Sequence, residues 1–303
     1  MKGFPQNARV CFIGDSITHH NDAIAYISAY YHEHLKERNV NFYNCGVGGG
    51  RVRTALPIMD KDVFSHNPTH AVIMFGINDS DRWAFAEPRS VERYDKLVNA
   101  YNVFQQNLRE MCRRLKEKNV EIILCTQTPY DEYQNADTPL LVGGYALMEG
   151  YAQAVREIAR DLGVSLCDYH KYFSRAMQGE SLITPDRVHP NELGQFHIAK
   201  CFLAFQGFDL GEYQPIPSYM DAWREKIKMY RTIWMAERMI IDKYDLSVEE
   251  QIAAIEAYVK EGEGNEKDFP YLDMAQKHLQ TKHLQEQLNE EINYLMEVEF
   301  KNR

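Results

Sequence analysis

The hydrophobic pattern alternates between short apolar runs and longer stretches with helical periodicity. Runs at Arg9–Ile13, Asn41–Tyr43, Ala71–Phe75, Glu121–Cys125 and Ser165–Cys167 predict five strands. The third and fourth read as continuous apolar stretches, as strands do in a parallel sheet covered on both faces. Ile24–Arg38, Ser90–Lys118 and Tyr145–Leu162 predict helices between them, Asn191–Gln206 predicts a last one, and Ser90 is placed to cap the second. Strands and helices in turn predict a doubly wound α/β domain, whose ligands bind at the carboxyl ends of the strands.

The pattern changes after about residue 206. The stretch GFDLGEYQPIPS reads as a linker and divides the chain into residues 1–206 and 207–303. Beyond it, Met220, Trp223, Ile227, Tyr230 and Trp234 recur at three- and four-residue spacing, an apolar helical stripe. Ser247-Val-Glu-Glu250 has the capping-box form ahead of a helix over 251–260. EGEGNEKDFP interrupts the pattern, and Leu272, Ala275, Leu279, Leu288, Ile292 and Leu295 predict a final long helix. The stripes either pack against the α/β part, form a homodimer surface or wall the active site.

Composition narrows the classes. The 303 residues carry a net charge of −10, which makes a nucleic-acid backbone a poor general partner. No segment approaches 18 uninterrupted apolar residues, so a membrane partner is not expected. The start, MKGFPQNARV, has no apolar core of a secretory signal. The 6 cysteines lie far apart without a CxxC pair, and Cys11 and Cys125 sit in apolar runs as buried thiols do. A reducing, cytoplasmic setting is the expectation.

Four polar clusters fall after strands or near the end of the α/β part. They are Gly14-Asp15-Ser16, Asn44-Cys-Gly-Val-Gly-Gly-Gly50, Gly76-Ile-Asn78-Asp79 and Asp186-Arg-Val-His189-Pro-Asn191. Taken alone, three of the four have a plain structural reading: a cap at Ser16, a turn at Asn78-Asp79, and a helix entry at His189 with Pro190 near the first turn. Together they hold what acyl transfer needs. A serine requires a base, the base an orienting carboxylate, and the oxyanion a set of donors. His189 can be the base, Asp186 can hold its ring, and Asn78 can donate its side-chain NH2. Backbone N–H groups of Ser16 and of a glycine in the second cluster can complete the hole.

In this order and spacing the clusters resemble the signature blocks of the SGNH hydrolases, also called GDSL esterases and lipases, over roughly residues 9 to 205. The resemblance implies a three-layer α/β/α sandwich with a flavodoxin-like parallel sheet, followed here by a C-terminal helical extension. It implies Ser16, Asp186 and His189 as catalytic triad, with Ser16, Gly49 and Asn78 as oxyanion hole, and no metal or other cofactor. Gly48 and Gly50 are alternatives to Gly49. Asp15, Asn44, His19, His20, Asp79 and Trp83 either brace the site or touch substrate. Arg51 and Arg53 either bind an acidic substrate or are solvated surface. The aromatic segments Tyr26–Tyr31 and Trp83–Phe85 either face a sugar or are core.

The GDSIT opening and the YNCG form of the second block look most like the carbohydrate-esterase branch of the family. The implied partner is a small-molecule ester, an acetylated saccharide or similar polar alcohol. A lipid-ester or thioester hydrolase of the same fold is the alternative, and a non-enzymatic binding or assembly protein is the third reading.

Overall fold

The computed structural model describes residues 3–82, 84, 87–134, 138–229, 231, 284, 287, 288, 290–292, 294 and 295. The chain divides into a first unit, Met1–Asp221, and a second, Ala222–Arg303. The capping box at 247–250, the apolar positions Leu272, Ala275 and Leu279, and Tyr230, Trp234, Trp83 and Phe85 lie outside the described residues.

The first unit is built on five parallel strands: β1 (Arg9–Gly14), β2 (Asn41–Gly46), β3 (His70–Met74), β4 (Glu121–Cys125) and β5 (Ser165–Cys167). Their order across the sheet is β2-β1-β3-β4-β5. That is the flavodoxin-like order, which reverses direction at β1 and opens a crevice beyond the strand ends there. Phe12 stands opposite Asn44 on β2 and Val72 on β3, and Gly14 pairs with Gly46 and Met74. The ends of these three strands therefore converge.

Among the described residues up to Phe205, eight α-helices follow in chain order: α1 (Ser16–His19), α2 (Asp22–His34), α3 (Val52–Ala55), α4 (Met59–Asp62), α5 (Val91–Glu117), α6 (Gly144–Leu162), α7 (Tyr169–Ala176) and α8 (Glu192–Phe205). Side chains alternate across the sheet with a period of two. Cys11, Ile13, Ala71, Ile73, Ile122 and Leu124 bury one face against α5 and α6. On the other face Phe12 lies 5.7 Å, ring to ring, from Phe202 of α8. Tyr31 of α2 meets Phe42 edge-on at 5.3 Å.

The predicted helices hold, with local differences. Ser90 caps α5 by accepting from Arg93 N–H at 3.1 Å. The first predicted helix stops at His34, and Lys36–Arg38 continue only as one 3-10 turn. Pro190 stays outside α8, because Asn191 takes the cap and Pro190 bridges to Ile183. Helix α7 has no counterpart in the sequence reading; Asp168 caps it, and Tyr169 and Phe173 are its buried positions. The Tyr26–Tyr31 segment is core, with Tyr26 and Tyr31 buried and Tyr30 half-buried.

The segment after α8 runs along the first unit. Phe208 packs against Tyr30, and Tyr219 donates to Glu33 at 2.8 Å. In the second unit residues 222–229 are helical, Trp223 and Ile227 are buried, and Lys226 pairs with Glu291.

Gly14 ends β1 because there is no room for a side chain. A Cβ there would lie 2.2 Å from Thr18 Oγ1 and 2.7 Å from the Met74 carbonyl oxygen. The hydroxyl can turn away, but the carbonyl belongs to the sheet. Gly14→Ala is expected to cost about 3 kcal/mol of stability, the upper range for overpacking a filled site. Urea unfolding measures it; a loss below about 0.5 kcal/mol, the size of an ordinary surface change, contradicts the crowding argument.

Candidate active site

The site grows from the turn after β1. Asp15 takes the cap of α1, its carboxylate accepting from Ile17 N–H at 3.0 Å. Ser16 is thus the first helical residue, and its hydroxyl is not spent on capping. Its Oγ lies 2.7 Å from His189 Nε2. His189 Nδ1 lies 2.5 Å from Asp186 Oδ2. The three residues span 173 positions from Ser16 to His189 and meet in one hydrogen-bonded line.

The Asp186–His189 turn orders itself. Asp186 Oδ1 accepts from Thr184 Oγ1 at 2.7 Å and from the N–H groups of Val188 and His189 at 2.9 Å each. Partial burial alone raises the Asp186 pKa. The backbone N–H of His189, the Thr184 hydroxyl, the His189 ring and Val188 N–H outweigh it and bring the value down to about 2. An ionised carboxylate only accepts, so His189 carries its proton on Nδ1 and presents the Nε2 lone pair to Ser16.

Arg187 locks this turn from behind. Its backbone is left-handed, φ +69°, an uncommon conformation for a side chain of this size. Its buried guanidinium donates to the carbonyls of Gln134 at 2.8 Å, Asp131 at 3.2 Å and Thr138 at 3.3 Å. The loop around 131–138 is thereby tied to the histidine turn.

Asn78 stands half-buried after β3. Its Nδ2 donates to Gly50 O at 3.1 Å, and its Oδ1 accepts from Arg82 Nη1 at 3.2 Å. In the glycine cluster, Gly50 N–H is bound to Val47 O at 2.9 Å, which removes Gly50 as a free donor. Gly49 is exposed with φ +69°, and an added Cβ there would meet nothing within 4 Å. Its glycine is required by backbone conformation, not by crowding within the protein. Among the described residues no hydrogen bond occupies the N–H of Ser16 or of Gly49.

The remaining candidates separate. Asn44 is buried and braces α1: its Nδ2 donates to Thr18 O and to Asn21 Oδ1, both at 3.0 Å. His20 is exposed and faces Asp22, its Nδ1 3.3 Å from that carboxylate. His19 is half-buried, and its carbonyl accepts from Asn44 at 3.4 Å. Trp83 lies outside the described residues. Arg51 and Arg53 face a polar cavity of about 370 Å³ that they share with Asp79, Asp81, Lys96 and Asn99. Ser16 and His189 are not in its walls.

Two residues of the site were not singled out from sequence. Arg82 reaches back over one turn to Asn78, and Arg187 sits inside the fourth cluster. Their only sequence signal is an arginine within four residues of a predicted site residue.

Asp15 and Asp79 are both buried, 1% and 7% exposed. Burial pushes Asp15 up to about 6, against Ile17 N–H, the His189 ring whenever it is protonated, and the charge of Arg82. Burial pushes Asp79 up to about 7; Val52 N–H, at 2.9 Å, opposes this and the nearby Asp15 adds to it. Both folded values exceed that of an unfolded aspartate. The folded protein keeps protons that the unfolded chain releases, so these groups lower stability as pH rises from about 4 to 7. Asp79→Asn keeps an acceptor for Val52 and removes one of the two titrations. The fall in melting temperature between pH 5 and pH 8 is expected to shrink in this variant. An unchanged fall contradicts the assignment.

With this geometry in place, comparison with known proteins identifies the class. Residues 12–195, more than half of the chain, match the GDSL-like Lipase/Acylhydrolase family. The chain belongs to this family, and with it to the serine-dependent carboxylic-ester hydrolases. No curated protein matches the sequence. Solved structures share the fold. A gut microbial diltiazem-metabolizing enzyme superposes with a TM-score of 0.63 at 27% identity, over 69% of this chain and 48% of that one. The chain therefore spans about half the length of that enzyme. An alpha/beta hydrolase enzyme from the metagenome of Lake Arreo, Spain, gives 0.57 at 27% identity, over 67% of this chain and 97% of that one. An acetylxylan esterase from Geobacillus stearothermophilus gives 0.58 at 24%, over 71% and 100%, a likeness of fold alone.

Proposed function

We propose that the chain is a serine esterase that removes a short acyl group, acetyl above all, from a carbohydrate or similar polar alcohol through an acyl-enzyme. The observation that carries this reading is the hydrogen-bonded line Asp186–His189–Ser16, with Asn78 held beside the glycine loop.

In the first step Ser16 Oγ attacks the ester carbonyl while His189 Nε2 takes its proton. Asp186 keeps the ring oriented and stabilises the imidazolium. The negative oxygen of the tetrahedral intermediate is met by the N–H groups of Ser16 and Gly49 and by the Asn78 amide. His189 then protonates the departing alcohol. In the second step the same imidazole takes a proton from water, which attacks the acyl-serine, and Ser16 recovers its proton as the acid leaves.

The acetyl and carbohydrate choice rests on the GDSIT and YNCG forms of the first two blocks. The acetylxylan esterase with the same fold is in keeping with it. Six buried free cysteines fit a reducing, cytoplasmic compartment. One observation favours the alternative of a longer acyl chain. Tyr133, Leu140 and Val142 are exposed, Tyr133 at 84% and Val142 at 75%, on the loop that Arg187 ties to the histidine turn.

Aryl esters of increasing acyl length separate the two. Turnover is expected to be highest for acetate and to fall with length; a rise with length overturns the acetyl reading in favour of the longer-chain one. Ser16→Ala should abolish turnover, and near-complete retention would sink the mechanism. Asn78→Ala should cost about 3 kcal/mol of transition-state stabilisation, as loss of an oxyanion donor does elsewhere. A kcat close to wild type removes Asn78 from the hole.

A further inference from the structure

We propose that Arg82 is the positioning residue that decides which end of the Asn78 amide faces the reacting carbonyl. The inference rests on the oxyanion role of Asn78 proposed above and adds a cause for its orientation. A primary amide has two ends of nearly equal shape and opposite chemistry. The NH2 end stabilises an oxyanion, and the carbonyl end repels it. Something must choose between them.

The structure holds both ends. Arg82 Nη1 donates to Asn78 Oδ1 at 3.2 Å and to the carbonyl of Ile77 at 3.1 Å. At the other end Asn78 Nδ2 donates to Gly50 O at 3.1 Å. Turning the amide over would set its NH2 against the guanidinium and its oxygen against the Gly50 oxygen. Both contacts would then be like with like. Gly50 O uses one amide hydrogen and leaves the second for substrate. A guanidinium is always charged, so its bond to Oδ1 is charge-assisted, and the polarised amide becomes a better donor.

The backbone keeps Arg82 in reach. Ser80 N–H bonds to Gly76 O at 3.0 Å, Ser80 Oγ donates to Ile77 O at 2.8 Å, and Ala84 N–H bonds to Asp81 O at 2.8 Å. The turn therefore folds Arg82 back over Asn78, four residues earlier.

A double-mutant cycle on the full chain tests this, with a short-chain aryl ester as substrate. Arg82→Met is expected to lower kcat about 30-fold, part of the 100- to 1,000-fold lost with a whole oxyanion donor. KM should stay within about twofold, since the interaction acts in the transition state. In an Asn78→Ala background the same substitution should change kcat by less than about threefold, because the group it orients is gone. Arg82→Lys, which keeps charge and donors, should stay within about fivefold of wild type. Equal losses in both backgrounds overturn the proposal, as does a loss confined to KM. If Asn78→Ala alone leaves kcat unchanged, the oxyanion reading itself has failed. If Asn78→Ala is slow but the two effects multiply, only the role of Arg82 has failed. Should Arg82→Met not fold, Arg82→Gln is run through the same cycle and judged by the same outcomes.

Discussion

The burial of the Asp15 carboxylate next to Ser16 in the chain is the constraint on which the other features of the candidate site depend. A buried charge is costly unless it is bonded or opposed. Here it accepts from Ile17 N–H, and the charge of Arg82 lies near enough to favour its ionised form. By capping α1, Asp15 releases the neighbouring hydroxyl. Ser16 Oγ is then free to meet His189 Nε2. Either residue could have taken the cap, since both types cap helices well. The division of labour follows from burial: the inward-facing side chain caps, and the half-exposed one turns to the histidine.

Sheet topology supplies the rest. The order β2-β1-β3-β4-β5 places the ends of β2 and β3 on either side of β1. Ser16 follows β1, the glycine loop follows β2 and Asn78 follows β3, so residues far apart in sequence leave adjacent strands at one end of the sheet. The histidine comes from a loop outside the sheet and needs its own anchoring. Asp186 provides it within the turn, and Arg187 provides it to the neighbouring loop.

The parts legible in the sequence were those whose cause is local. Apolar runs located the five strands, and β4 and β5 begin and end where the runs do. The four clusters were legible because each is contiguous and follows a strand or precedes a helix. What escaped depends on distant partners. Nothing near Tyr26 in the chain says that its helix is covered on one side by α8, where its ring meets Phe196 edge-on at 5.3 Å. The bracing role of Asn44 needs Thr18 and Asn21 as partners, and the mutual influence of Asp15 and Asp79 crosses 64 positions. Helix α7 was missed for a different reason: at 8 residues it is too short for its periodicity to stand out, although Asp168 is a good cap.

Asn78 and Asp79 show how one turn serves two sides of the glycine loop. The Asn78 amide bonds to Gly50 O, while Asp79 Oδ1 bonds to Val52 N–H two residues further on. Consecutive side chains thus grip the same loop at its carbonyl and at its N–H. This pins Gly50 through Val52; Gly49, just ahead of them, is left-handed, and among the described residues no hydrogen bond occupies its N–H. A serine nucleophile gains from oxyanion donors only when they are placed before reaction, since reorganisation during the step would consume the benefit. In the proposed mechanism Asp79 contributes by holding the loop through Val52 N–H. Its burial, with the proton affinity that burial imposes, is the physical cost of holding that loop still.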